Sequence, residues 1–209
     1  MGANSKAQKS ARRARIEELR RAEQARERRN KIITIAVSVT IVAGLAVGGW
    51  YLVDSANNKE KAQAAPISGE KTWSNLSRNH VTKTVNYPMH PPVGGDHNPV
   101  WQNCNGNVYD KEIAEGNAVH SLEHGAVWVT YNEKATAADI KTLSQRVSKT
   151  PYSLMSPYKN EPSPITLNAW GHQLKVNKAS DPRVAEFFDK YVQGKQTPEP
   201  GASCTGGIG

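Results

Sequence analysis

The chain has 209 residues, a formal net charge of +8 at pH 7 and two cysteines. Residues 1–31 hold 11 Lys or Arg and 4 Asp or Glu, so this segment alone carries a charge of +7. The other 178 residues hold 16 basic and 15 acidic side chains. Because the positive charge does not cover the folded part, composition excludes a basic surface for DNA or RNA there.

The basic segment, residues 1–31, is predicted to be a helical cytoplasmic tail. It is rich in Ala, Arg and Glu, it contains no Pro, and it has almost no apolar side chain besides alanine to bury. One interpretation is attraction to anionic lipid headgroups, at about 1 kcal/mol per basic residue near the surface. The other is a positive flank that only sets the orientation of a membrane segment.

Residues 32–53 form a run of 22 residues without a charge, which predicts one transmembrane helix. At 1.5 Å per residue this run covers about 33 Å, and a hydrocarbon core is about 30 Å thick. Trp50 and Tyr51 at its far end suit the membrane interface. The Lys and Arg excess before it predicts a cytoplasmic N-terminus and an extracytoplasmic C-terminal domain. Gly44 and Gly48 form a Gly-x-x-x-Gly pair, which could pack against a membrane-protein partner or a second copy of the chain.

A cleaved signal peptide is the alternative to this anchor, since Ala62-Gln63-Ala64 resembles a cleavage site. The apolar run is longer than the roughly 7–15 residues of a signal peptide core, so an uncleaved anchor is favoured. Residues 54–72 are polar and small, with Pro66 and Gly69. They are predicted to be a spacer that holds the domain away from the bilayer.

Residues 73–209 are predicted to fold as one extracytoplasmic domain that carries all six histidines. Its regular elements are predicted to be strands at residues 126–131, 165–170 and 172–176, and helices that begin at Thr136 and after Asp181-Pro182. The last two strands flank Gly171, which suits a tight bend between them. One or two helices packed against a small mixed sheet make this an α+β domain.

Both cysteines, Cys104 and Cys204, lie in this domain. In an oxidising compartment two cysteines pair most simply with each other. A loop of about 100 residues closed in this way stabilises the fold by about 4.7 kcal/mol in the chain-entropy model. The alternative is a pair of free thiols or metal ligands.

The segment 87–99 contains four prolines and two glycines and predicts a stiff loop. Such a loop fixes side chains at low entropic cost, and here these are Met89, His90, Asp96 and His97. The alternative is a rigid surface loop whose histidines have no function.

A second segment, residues 118–124, is predicted to form two helical turns, because Asn117 is a good N-cap and Gly125 a good residue to follow a helix. Its apolar face would hold Ala118, Val119 and Leu122, and its polar face would hold His120, Glu123 and His124. The polar face suits a metal site or an acid–base pair, and it also suits ordinary exposure to solvent.

The run from His120 to His124 matches the H-x-x-E-H motif of inverted zinc proteases, in which Glu123 would be the general base. We discount this interpretation, because the helix is short, runs directly into a strand, and needs a third metal ligand from another element.

The order Pro-Pro-x-Gly-Gly-x-His-x-Pro, followed by Val-His-x-Leu-Glu-His-Gly, resembles the domain-of-unknown-function family numbered 3105. The likeness covers about residues 73–170, and residues 119–125 are its most specific part. That family consists largely of membrane-anchored bacterial proteins, well represented in actinobacteria. The resemblance therefore implies an extracytoplasmic domain but supplies no reaction. The matching positions are Pro91, Pro92, Gly95, His97, His120, Glu123, His124 and Gly125. Met89 and His90 lie outside the family pattern.

Three functions remain open. The first is a metal-binding domain for Cu or Zn, and its ligand set would be drawn from His97, His120, His124, Glu123, His90 and Met89. The thioether of Met89 would favour Cu⁺. The second is a non-enzymatic accessory subunit of a cell-envelope membrane assembly, in which the motif only orders the loop and helix. The third is a metal-assisted hydrolase with Glu123 as its base.

Overall fold

The computed structural model describes the backbone of residues 2–209 and the side chains of residues 15, 17–54 and 65–209. The chain divides into two compact units, Met1–Ala62 and Gln63–Gly209.

Residues 2–62 of the first unit lie within one continuous helix, α1 (Gly2–Ala64). Every large apolar side chain between Ile32 and Val53 is exposed, by 52% to 71%. The hydroxyls of Thr34 and Thr40 donate to carbonyls one turn earlier in the helix, so these polar groups are satisfied internally. Within the described residues, the segment Glu17–Asp54 is the one helix long and apolar enough to cross a membrane. It contains the run that the sequence predicts as a transmembrane helix.

The second unit is an α+β domain built on a six-stranded mixed sheet, which confirms the predicted class. The strands are β1 (Lys71–Thr72), β2 (Asn105–Val108), β3 (Val127–Tyr131), β4 (Ser153–Pro157), β5 (Ile165–Ala169) and β6 (His172–Val176). Their order across the sheet is β1-β6-β5-β3-β4-β2. Strand β4 pairs in parallel with β2 and β3, and the other pairs are antiparallel.

Three helices accompany the sheet: α2 (Glu115–Glu123), α3 (Ala137–Val147) and α4 (Pro182–Tyr191). Helix α3 begins where predicted, because the Thr136 side chain accepts a hydrogen bond from the Asp139 backbone N–H. Helix α4 begins in the same way at Asp181, with proline in its first turn. Both predicted helix starts are confirmed, and each follows from a side-chain cap that is visible in the sequence.

The central strand β3 is buried on both faces, since its alternate side chains enter two different apolar clusters. Val127 and Val129 pack with residues of α3 and α4, such as Leu143 and Phe187. Trp128 packs with residues of α2 and the 87–99 loop. The sheet therefore has α3 and α4 on one face and α2, with its histidines, on the other.

The structure corrects the predicted start of α2 and the predicted extent of the spacer. Helix α2 begins at Glu115, and Ala114 is its N-cap without a side-chain hydrogen bond, so the predicted cap at Asn117 is wrong. The Asn117 side chain instead donates to the Val100 carbonyl. The second difference concerns the predicted spacer, residues 54–72. Helix α1 continues to Ala64, Ile67 joins the core and β1 pairs with β6, so the end of this segment belongs to the domain.

Candidate metal centre

Helix α2 is buried on both faces. Its apolar residues Ala118, Val119 and Leu122 belong to the cluster around Trp128, as their spacing predicts. Its polar face is also buried, since His120, Glu123 and His124 are only 2–3% exposed. This excludes the interpretation of that face as an ordinary solvent-exposed surface. Buried polar groups cost free energy unless they have partners, so the partners of these three side chains decide what the site can do.

Four side chains meet beside α2 and are called the inner group: His80, His97, His120 and Glu123. One potential ligand atom from each lies within 4.8 Å of the others. Glu123 Oε2 is 2.9 Å from His97 Nε2 and 3.6 Å from His80 Nε2. Zinc bonds of about 2.0–2.1 Å place tetrahedral ligand atoms about 3.3 Å apart, so small side-chain shifts would close this group around an ion.

Backbone carbonyl groups fix the orientation of three imidazoles. The atom pairs, each 2.7 Å apart, are His97 Nδ1 with Gly95 O, His120 Nδ1 with Asn98 O, and His124 Nδ1 with Ser203 O. A carbonyl oxygen only accepts hydrogen bonds, so each Nδ1 carries the proton and donates it. A ring with its single proton on Nδ1 presents an unprotonated Nε2. Metal-binding histidines almost always donate their other ring N–H to such a group.

The inner group contains two buried atoms whose hydrogen-bonding capacity is unused. Within the described residues, His97 Nε2 and Glu123 Oε2 have no hydrogen-bond partner, although they are only 2.9 Å apart. A singly protonated His97, with its proton on Nδ1, presents an acceptor to Glu123, which is an acceptor itself when ionised, whereas a ring protonated on both nitrogens would form an ion pair with it. Two buried acceptors at this distance repel each other unless a proton or a cation lies with them.

Burial keeps the α2 imidazoles neutral. It lowers the pKa of His120 to about 4, partly opposed by the hydrogen bond to Asn98, and the neighbouring imidazoles lower this pKa further. Burial also lowers the pKa of His124, partly opposed by the hydrogen bond to Ser203. Both rings therefore have an available lone pair at neutral pH, which is the form that binds metals.

The 87–99 loop places His97 in the inner group. The Tyr87 hydroxyl donates to the Asp96 carbonyl at 2.8 Å, and Gly95 adopts a φ of +118° next to it. The segment is a loop, as predicted, but His97 is fully buried, so the loop does not merely cover the surface.

His80 is a member of the inner group that sequence reasoning missed. Backbone hydrogen bonds on both sides of it hold it against the loop: Val81 N donates to His97 O at 2.7 Å, and His97 N donates to Asn79 O at 3.0 Å. The His80 side chain is 44% exposed, so it forms the solvent side of the inner group. No periodic pattern or motif around it marks this histidine in the sequence.

A second set, called the outer group, consists of His120, His124 and Glu199, whose potential ligand atoms also lie within 4.8 Å of one another. His124 Nε2 is 3.7 Å from Glu199 Oε2, and the Glu199 side chain is 47% exposed. The Glu199 backbone N–H donates to the Glu123 carbonyl at 3.1 Å, which fixes this residue beside the end of α2. Glu199 was not predicted.

The C-terminal segment is held against the site by the disulfide between Cys104 and Cys204. Cys104 N also donates to Cys204 O at 2.9 Å, and the carbonyl of the preceding residue, Ser203, is the one that orients His124. Near the C-terminus, Ile208 exchanges backbone hydrogen bonds with Trp101 and Asn103. The C-terminal segment therefore supplies the carbonyl that orients His124.

Comparison with known proteins assigns a family. Residues 80–206 match the family described as protein of unknown function (DUF3105). The chain belongs to this family. The match begins at His80 and contains every residue of the inner and outer groups. No curated protein and no solved structure matches the chain.

The second unit, Gln63–Gly209, contains the family match and is called the DUF3105 domain; the backbone directly after its helix α2 favours a glycine. Gly125 has a φ of +91°, and a Cβ there would lie 2.5 Å from Gln193 Nε2 and 2.7 Å from Thr197 Oγ1. Its carbonyl also accepts a hydrogen bond from Gln193 N at 2.9 Å. A side chain at this position would therefore be strained by the positive φ and would crowd Thr197, where the chain turns from α2 into β3.

The structure does not bring the other two predicted ligands of the DUF3105 domain into either group. Met89 is buried among the apolar residues around Trp128. His90 is about half exposed, and its Nδ1 lies 3.0 Å from both Glu115 Oε1 and the Tyr158 hydroxyl. The argument for Cu⁺ that depended on a thioether ligand therefore loses its support.

Proposed function

We propose that the DUF3105 domain binds one divalent transition-metal ion in the inner group, on the extracytoplasmic side of the membrane. The observation that supports this most directly is the pair of buried acceptors, His97 Nε2 and Glu123 Oε2, 2.9 Å apart and without hydrogen-bond partners among the described residues. A cation between them converts a repulsion into two favourable bonds.

The donor set defines the chemical class of the ion. Imidazole nitrogens suit Zn²⁺ and Cu²⁺, and a carboxylate completes a four-ligand set that both accept. His97 and His120 would coordinate through Nε2, because their Nδ1 atoms are committed to backbone carbonyls. Glu123 would supply the anionic ligand, and the half-exposed His80 would close the site on the solvent side. Such an ion would neutralise the buried carboxylate and fix the loop to α2.

The proposed location rests on α1 and on the disulfide. The exposed apolar run of α1 would be covered by lipid, and the basic residues before it favour the cytoplasm and anionic headgroups. A structural disulfide is typical of an oxidising compartment. The test is to fuse a reporter enzyme after Gly209. A reporter that works only outside the cytoplasm should be active there. If instead only a reporter that works inside the cytoplasm is active, this orientation is contradicted.

Calorimetric titration of the full-length chain in detergent with Zn²⁺ tests the metal proposal. The wild type should bind one ion per chain, and His97→Ala should lose most of the affinity, because the remaining carboxylate has fewer nitrogen ligands beside it. His90→Ala is the matched control, since this histidine belongs to neither group, and it should bind like the wild type. Equal binding by all three proteins, or no binding by the wild type, would refute the proposal.

One observation favours a metal-assisted hydrolase as the second candidate. Glu199 supplies the third ligand that the H-x-x-E-H motif lacks in the sequence, so His120, His124 and Glu199 form the two-histidine, one-glutamate set of several zinc hydrolases. Glu123 would then be the general base and not a ligand.

The variant Glu123→Gln separates the two candidates. As an inner-group ligand, Glu123 contributes a charged bond, so the variant should bind Zn²⁺ more weakly. If Glu123 is instead the general base, the variant should bind Zn²⁺ as the wild type does and should lose any turnover of ester or peptide substrates. A variant that keeps full metal affinity would therefore exclude the inner-group assignment.

A further inference from the structure

We infer that His124 and Glu199 form an entry pair that passes a metal ion to the inner group by ligand exchange at His120. This inference rests on the proposed metal-binding function and adds a route and an order of events. It accounts for two ligand groups that share one residue, His120.

His120 is central to both groups. Its ring centroid lies 4.6 Å from that of His80, 4.9 Å from that of His97 and 4.6 Å from that of His124. Because its Nδ1 donates to Asn98 O, the ring has one free lone pair, on Nε2. That lone pair can bind an ion in only one group at a time. The two groups are therefore two alternative positions for a single ion.

Exposure gives the route a direction. Glu199 is 47% exposed and carries the charge nearest to solvent in the outer group, whereas His120 and His124 are 3% exposed. In the inner group His97 is fully buried and Glu123 is 2% exposed. An anionic side chain at the mouth of a polar site raises the local concentration of cations and their rate of association. The Glu199 carboxylate is thus placed to capture an ion from solution.

The exchange balances in bonds and in charge. The ion keeps its bond to His120 Nε2, its bonds to His124 Nε2 and Glu199 break, and bonds to His97 Nε2 and Glu123 form. Each group offers one carboxylate, so the charge of the ligands around the ion does not change, and His80 adds a further nitrogen ligand in the inner group. The rings of His97, His120 and His124 lose no proton in the exchange, because each holds its proton on Nδ1 before and after it.

A route past His80 is the competing explanation, since that imidazole is also exposed, by 44%. An ion that enters there reaches the inner group without contact with Glu199. The two routes therefore predict different effects of a change at Glu199 on the rate of uptake.

Stopped-flow uptake of Cu²⁺ by the full-length chain in detergent tests this inference. Cu²⁺ quenches tryptophan fluorescence, and the Trp101 ring lies 5.1 Å from the His124 ring and 5.7 Å from the His120 ring. Glu199→Gln should lower the uptake rate constant by about tenfold, in line with the loss of a capturing charge. Uptake should still end at one ion per chain with an affinity close to that of the wild type. Glu199→Asp, which keeps the charge, should restore most of the rate.

The matched control is Glu133→Gln, which removes an exposed carboxylate that belongs to neither group. Its uptake rate should equal that of the wild type. An unchanged rate in Glu199→Gln, two ions bound per wild-type chain, or loss of equilibrium binding in Glu199→Gln would each overturn the relay. Failure of the wild type to bind any ion would refute the proposed function instead. Near-ultraviolet circular dichroism would verify that each variant is folded.

Discussion

Removal of the Cys104–Cys204 disulfide is expected to destabilise the DUF3105 domain strongly and to disturb the site. The bond joins residues 100 positions apart. For a loop of that length, the chain-entropy model gives a loss of about 4.7 kcal/mol in the free energy of unfolding. In a domain of about 150 residues each kcal/mol lowers the melting temperature by about 2–4 °C, so the double variant Cys104→Ala/Cys204→Ala should melt roughly 10–20 °C lower.

The same variant should also release the C-terminal segment from α2. The Ser203 carbonyl, one residue before Cys204, holds the Nδ1 proton of His124. Once that segment is free, His124 loses its fixed orientation, and uptake through the outer group should slow. The inner group does not use this hydrogen bond, so metal stoichiometry should stay at one.

Urea unfolding of the full-length chain in detergent, followed by tryptophan fluorescence, measures the loss of stability. Reduced wild type serves as the control and should unfold like the double variant. A loss below about 1 kcal/mol would show that the bond constrains the unfolded chain far less than its loop length implies, and would refute the reasoning.

Three further predictions concern other parts of the domain. Gly125→Ala should lower the free energy of unfolding, measured with urea, by more than about 2 kcal/mol, because its Cβ adds close contacts to backbone strain. Gly201→Ala is the control, since Gly201 has a similar φ of +86° but no neighbour within 4 Å, and it should cost only about 1–2 kcal/mol. Burial raises the pKa of Glu161 to about 7, so the folded state favours the neutral carboxyl. The free energy of unfolding should therefore be highest below about pH 4.5 and should fall by about 3 kcal/mol as the pH rises to 7. Glu161→Gln should remove this fall. Met89→Leu and His90→Ala should leave Zn²⁺ affinity unchanged in calorimetric titration, because neither residue belongs to a ligand group.

Each of these predictions has a clear contrary result. Equal losses in the two glycine variants would show that the contacts at Gly125 relax freely. A stability profile for Glu161→Gln that still falls by the same amount between about pH 4.5 and pH 7 would assign the titration to another group. A loss of Zn²⁺ affinity in Met89→Leu would show that the Met89 thioether is a ligand after all.

Local signals in the sequence predicted the parts of the fold that depend on neighbouring residues. The starts of α3 and α4 follow from side-chain caps at Thr136 and Asp181, which act within one turn. Strands β5 and β6 follow from the two short segments on either side of Gly171, residues 165–170 and 172–176. The start of α2 was misplaced by three residues, because Ala114 makes no side-chain cap and Asn117 bonds to a distant carbonyl.

Long-range pairing determined what the sequence could not show. Strand β4 (Ser153–Pro157) was not predicted, because its serines and proline resemble a turn, and only its position between β2 and β3 makes it a buried strand. His97, His120 and Glu123 were found through their motifs. His80 and Glu199 lie in segments without regular structure, and backbone hydrogen bonds from distant residues place them in the site.

X-ray absorption spectroscopy of the Zn²⁺-loaded full-length chain tests the central claim most directly. We expect one ion surrounded by three imidazole nitrogens and one carboxylate oxygen at about 2.0–2.1 Å, with Glu123→Gln reducing the amount of bound zinc. A sulfur neighbour at about 2.3 Å, or a Glu123→Gln variant that retains zinc fully, would contradict the assignment of the ion to the inner group.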